Sequence, residues 1–107
     1  MAAGDVTIHS VSRRAIRGER VVTGTVQLDG TNPTPVALAS YMAECKGGVV
    51  SIEGTATPGL DPTTVTSAVS GTTLNVYAWK PTASGDATLI ASTNNERVVH
   101  FVAWGKP

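Results

Sequence analysis

The residues of this 107-residue chain that could do chemistry are few and widely spaced. There are two histidines, His9 and His100, and a single cysteine, Cys45. A protein zinc site needs three or four ligands, and a nucleophilic cysteine needs a histidine and an orienting residue beside it. The sequence offers neither pattern. We therefore expect structural or interface histidines, a buried structural thiol and no metal site.

The eight Asp and Glu residues fall mostly at predicted turns and strand ends. Asp is common in turns because its side chain bonds to nearby backbone, so turn and solubility roles explain these residues better than acid–base catalysis. The sequence has no Gly-x-Ser-x-Gly elbow and no phosphate-binding glycine loop. We predict that the protein is not an enzyme and binds no cofactor.

Two groups of residues are better suited to binding. Four arginines lie within eight positions, and arginine forms paired hydrogen bonds with carboxylates and is common at interfaces. The four clustered arginines predict a docking surface. The alternative is that they form the solvent-exposed face of a hairpin. Three aromatic residues could pack in a core or subunit interface, or form a sugar-stacking platform. The candidate contact residues are Arg13, Arg14, Arg17, Arg20, Tyr77, Trp79 and Trp104.

The composition limits the possible partners. Eight Lys and Arg residues balance eight Asp and Glu residues, and only 15% of the chain is charged, so no global field attracts nucleic acid or an anionic membrane. No apolar run reaches the ~20 residues that a membrane span needs, and the N-terminal residues lack a signal-peptide pattern. One cysteine excludes an intramolecular disulfide. We expect a single domain, residues 1–107, made and used without secretion.

Short strands separated by turn residues must position these groups. The last strand, residues 97–104, is rich in β-branched and aromatic residues and is apolar on both faces. Val99 and Ala103 belong to one face, and Val102 and Trp104 belong to the other, because strand side chains alternate. Such a strand needs cover on two sides. A second sheet can cover one, and a loop or another protein chain can cover the other.

The other strands are predicted from the same alternation. Residues 6–11 form a strand with a bulge near Ser10, and residues 20–28 form its hairpin partner, in which Gly24 marks a bulge or a close backbone approach. Residues 29–35 are a loop, and residues 36–45 form one or two helical turns or an irregular loop. The remaining strands are predicted at residues 49–53, 63–69 (an edge strand), 72–79 and 87–91.

This pattern predicts an all-β protein. The expected architecture is a compact β-sandwich or small barrel of about seven or eight mostly antiparallel strands, with at most one short helical turn. The strands recur at the spacing typical of sandwiches and barrels.

Three stretches of the sequence resemble a known family. The run Gly18-x-x-Val21-Val22-Thr23-Gly24-Thr25-Val26-x-Leu28-Asp29, the loop Asn32-Pro33-Thr34-Pro35 and the ending Val99-x-Phe101-Val102-Ala103-Trp104-Gly105-Lys106 are similar to small head decoration, or cement, proteins of tailed bacteriophages. Residues 39–45 depart from the family pattern, because they lack its Leu-Gly turn.

The resemblance implies a function in assembly. It implies a virion protein, made in the bacterial host cytoplasm, that sits on the capsid exterior, binds the major capsid protein and stabilises the shell against internal DNA pressure. A homo-oligomer is expected, with a trimer as the first arrangement and a dimer as the second. The alternative function is a phage tail or host-adhesion module that binds carbohydrate through its aromatic residues.

Overall fold

The computed structural model describes residues 2–12, 18–53, 61–83 and 85–107, which form two packed β-sheets. This architecture confirms the predicted all-β fold and agrees with a small β-sandwich. No helix within the described residues is long and apolar enough to cross a membrane. The described strands are, in chain order, β1 (Val6–Val11), β2 (Arg20–Gln27), β3 (Thr34–Ala37), β4 (Glu44–Ile52), β5 (Thr64–Ser70), β6 (Thr73–Pro81), β7 (Leu89–Ala91) and β8 (Val98–Lys106).

The strands pair in two antiparallel sheets. Sheet 1 has the order β1-β2-β8-β4, and sheet 2 has the order β3-β6-β5, with β7 also paired to β6. β8 lies inside sheet 1, between β2 and β4. The last strand of the chain therefore completes a sheet whose other strands come from the first half. The predicted edge position of β5 is also confirmed.

The core lies between the two sheets and consists of alternate residues from their long strands. Val22 and Val26 of β2, Phe101 of β8, and Leu74 and Val76 of β6 are each at most 2% exposed. Burying one such side chain stabilises a fold by about 1.5–3 kcal/mol relative to leaving it in water. The face alternation predicted for β8 is confirmed, and burial alternates in the same way along β2 and β6. Burial along these strands holds the sheets together.

The pairing of β1 with β2 contains the irregularity expected from the sequence. The register shifts between Ile8 and Ser10, where the bulge was predicted. A Cβ at Gly24 would overlap the carbonyl oxygen of Thr7 and lie 2.9 Å from the Phe101 ring. The predicted close approach at Gly24 is therefore confirmed, and only glycine fits between the neighbouring backbone and the core.

Two segments differ from the sequence prediction. The proline-containing loop includes β3, in which Thr34 and Val36 are buried while Pro35 is exposed. Proline is tolerated on edge strands, and β3 is at the edge of sheet 2. The sequence predicted a strand that begins at Val49, but this strand begins at Glu44. The glycines that follow Glu44 lie within the strand, where they leave space for large side chains from its neighbours.

The segment between β3 and β4 contains a single helix-like turn. The N–H of Met42 donates to the carbonyl oxygen of Leu38 at 3.1 Å. Leu38, Met42 and Cys45 are all buried, although Cys45 already belongs to β4. The described residues thus agree with the expectation of at most one short helical turn.

Replacing Gly24 with Ala is expected to lower the free energy of unfolding by about 1–3 kcal/mol, the usual effect of overpacking. The added methyl group must displace the Thr7 backbone or the Phe101 ring. The control is Gly71→Asn, because Gly71 has φ of 60°, a Cβ there meets no described atom within 4 Å, and Asn tolerates this backbone. Urea unfolding compares the variants. Wild-type stability in Gly24→Ala would contradict the close approach.

Candidate docking surfaces

The outer face of sheet 1 carries an exposed pair of aliphatic side chains. Val49 of β4 and Val102 of β8 are cross-strand partners, and they are 58% and 37% exposed. With Ser51 and His100 they line a shallow depression of about 290 Å³. We call Val49 and Val102 the valine patch. Exposed apolar side chains bordered by polar groups can serve as a contact site for another molecule.

Trp104 extends this apolar surface along β8. It lies on the same face as Val102 and is half-buried. Its indole lies over Gly47, where a Cβ would sit 2.6 Å from a ring carbon. The register of β4 against β8 shifts between Cys45 and Gly47, so the irregular backbone and the glycine together seat the ring. Trp104 is therefore positioned by the local structure of β4.

Only one of the four arginines lies within the described residues. Arg13, Arg14 and Arg17 lie outside them. Arg20 is half-buried, and its Nη1 donates to the carbonyl oxygen of Tyr41 at 3.0 Å. Its Nε is buried and has no hydrogen-bond partner among the described residues.

The hydrogen bond from Arg20 has a structural consequence. It ties the turn before β4 to sheet 1, at the end of the sheet where Trp104 lies, since Arg20 pairs with Gly105. The structure therefore brings Arg20 and Trp104 to one end of one sheet. A nearby ion pair, Lys46 with Glu19 at 3.8 Å, is exposed and contributes little to stability.

The depression beside the valine patch has a polar rim. His100 Nε2 lies 3.2 Å from Glu53 Oε2, and both side chains are more than half exposed. Ser51 is the cross-strand partner of His100. The hydrogen bonds found among the described residues do not join Ser51 to His100. These polar groups border the exposed side chains of the valine patch.

The outer face of sheet 2 carries the other two aromatic residues. The rings of Tyr77 and Trp79 are parallel to within 7°, with centroids 6.0 Å apart, an offset stacked arrangement. The indole Nε1 of Trp79 donates to Thr66 Oγ1 at 2.8 Å. Both rings are half-buried. Stacking and this hydrogen bond fix the position of the pair on the surface.

The structure separates aromatic residues that the sequence grouped together. β6 directs Val76 into the core and Tyr77 and Trp79 away from it, while β8 directs Phe101 inward and Trp104 outward. Because the sheets pack through their inner faces, Trp104 and the Tyr77–Trp79 pair lie on opposite outer faces. A single sugar-stacking platform made of all three residues is therefore wrong.

The valine patch was not among the residues predicted to make contacts. The signal for it was the two-sided apolar pattern of β8, which indicated that one face needs cover beyond the core. Val49 could not be paired with Val102 from the sequence, because that pairing depends on the position of β4 beside β8.

Cys45 is a packed core residue, as expected. It is 4% exposed, and its Sγ donates to the carbonyl oxygen of Gly47 at 3.6 Å. Burial is the main cause that raises the pKa of the Cys45 thiol. The thiol is therefore shielded and protonated at neutral pH.

No group of three or more His, Cys, Asp or Glu side chains in the described part of the chain could hold a metal ion.

Comparison with protein-family models, with curated proteins and with solved structures finds no match to this chain. Its outer faces must therefore be interpreted from their own geometry and chemistry.

The Cys45 thiol is expected to react with Ellman's reagent at pH 8 at least about a hundredfold more slowly in the native protein than in denaturant, because it is buried and its pKa is raised. The control is the double variant Cys45→Ala/Ala43→Cys, which moves the thiol to an exposed position two residues away. This thiol should react at similar rates in both states. Equal rates for native and unfolded wild-type protein would contradict the buried position.

Proposed function

We propose that the protein is a virion structural protein that decorates the outside of a tailed-phage capsid and stabilises it by binding the major capsid protein. The observation that carries the proposal is the valine patch, which is exposed although the core between the sheets is already filled. The major capsid protein is proposed as the partner because the sequence resembles head decoration proteins. In this proposal the protein is made in the bacterial host cytoplasm and works on the capsid exterior.

The size of the face favours repeated contacts. The outer face of sheet 1 can be estimated from its strands. Four strands spaced about 4.8 Å apart, each with about eight residues that rise about 3.3 Å per residue, cover a flat area of roughly 500 Å². A stable interface of standard size buries about 800 Å² on each partner. One contact through sheet 1 is at most of standard size, whereas many copies on a symmetric lattice reinforce one another. Binding that is selective for the assembled shell stabilises it.

The proposal includes a homo-oligomer on the shell. Closed symmetry favours a trimer at threefold positions first and a dimer second. Trp104 and Arg20 lie at one end of sheet 1, whereas Arg13, Arg14 and Arg17 lie outside the described residues. These residues remain candidate contacts beside the valine patch.

Binding to shells should be lost when a charge is placed in the valine patch. Val49→Asp is expected to weaken binding by at least about a hundredfold, because docking would bury an unpaired carboxylate. Val49 is 58% exposed, so the fold should tolerate the change. The matched control is Ala68→Asp, at an exposed position on the opposite outer face. Co-sedimentation with expanded, undecorated phage heads measures the binding.

The wild-type protein and Ala68→Asp should saturate expanded shells and leave free coat protein unbound. Circular dichroism melting confirms that both variants are folded. Failure of the wild-type protein to bind shells would refute the proposed function. Equal shell binding by Val49→Asp and wild type would remove the valine patch as the contact surface.

A further inference from the structure

We propose that the outer face of sheet 2 is a second binding site, which binds neutral polysaccharide through the Tyr77–Trp79 pair. This site is separate from the valine patch, because the two lie on opposite outer faces of the sandwich. A domain that docks through sheet 1 leaves sheet 2 open to solvent. Sugar binding and shell binding can therefore occur together, and sugar binding does not depend on the shell.

Among the described residues, the side chains that the strand register places on the outer face beside the aromatic pair are uncharged. Strand register places β5 side chains directly beside the rings, with Thr64 opposite Trp79 and Thr66 opposite Tyr77. The other side chains that the register places on this face near the pair are Ala68, Asn75, Pro35 and Ala91. Hydroxyl and amide groups can bond to sugar hydroxyls. Lys80, which follows Trp79 in β6, is paired with Asp61 at 4.0 Å, so this cation already has an anionic partner.

Tyr77 and Trp79 are stacked on each other, so a pyranose would pack its apolar C–H face on the ring surface that this stacking leaves uncovered. Aromatic side chains offer a flat apolar surface together with a polar group at the edge. The Trp79 indole is already held by Thr66 at 2.8 Å and by stacking on Tyr77. A site that is ordered before binding loses less side-chain entropy when the ligand arrives. The geometry therefore favours recognition by stacking on rings that do not have to move.

A subunit interface is the competing explanation for this face. Tyr and Trp often anchor interfaces, and Leu89, which is 48% exposed, pairs with Pro81 at one end of the face. Interface anchors are usually surrounded by well-packed, desolvated contacts. Here Thr64 and Thr66 border the rings instead, which fits a ligand rich in hydroxyl groups better than an apolar protein surface.

Affinity gel electrophoresis tests the proposal with the whole protein. Dextran, mannan and galactan serve as neutral polysaccharides, and alginate serves as the anionic contrast. We expect at least one neutral polysaccharide to retard the protein and alginate to leave its mobility unchanged. Trp79→Ala should weaken retardation by about tenfold or more, because it removes the stacking surface. Val49→Asp, on the other outer face, should be retarded like wild type.

Two further measurements separate a lost ligand site from a lost fold or interface. Trp79→Phe keeps a ring and should retain part of the retardation, and thermal melting checks that each variant is folded. Light scattering gives the oligomeric state. Absence of retardation by all three neutral polysaccharides, or equal retardation of Trp79→Ala and wild type, would overturn the proposal. A Trp79→Ala protein that loses its oligomeric state while wild type binds no polysaccharide would identify a subunit interface instead.

Discussion

The packing of β8 against its neighbours is the constraint on which the rest of the structure depends. Phe101 and the other buried residues of β8 fill the core from the middle of sheet 1, and the backbones of β2 and β4 pass close to this strand. Glycines permit this approach: a Cβ at Gly24 would meet Phe101, and a Cβ at Gly105 would overlap the carbonyl oxygen of Glu44. The positions of β2 and β4 thus follow from the side chains and glycines around one central strand.

The alternation of side chains along β8 also determines which residues lie on the outer surface of sheet 1. Side chains on β8 alternate, so a strand that places Phe101 in the core must place Val102 and Trp104 on the other face. Gly47 gives Trp104 a place to lie, but Val102 and Val49 keep substantial exposure. The proposed docking surface is therefore a consequence of the most apolar strand lying in the middle of a sheet that is covered on one side.

The sequence allowed the long strands to be predicted, and the reason is physical. β2, β6 and β8 each place alternate apolar residues in one core, and this period survives in the sequence. β3 was missed because its proline is a loop signal unless the strand is known to lie at an edge. The opposite positions of Trp79 and Trp104 could not be predicted, since alternation assigns a face within one strand but not the sheet to which it belongs. The pairing of Val49 with Val102 was hidden for a related reason, because it depends on contacts between distant parts of the chain.

The central claim is that sheet 1 contacts the shell while sheet 2 remains open. Hydroxyl-radical footprinting of the protein, free and bound to expanded phage heads, measures this directly at each side chain. The account predicts that labelling of Val49, Val102 and Trp104 falls on binding, while labelling of Tyr77 and Trp79 is unchanged. Protection of Tyr77 and Trp79 with continued labelling of Val49 and Val102 would contradict it.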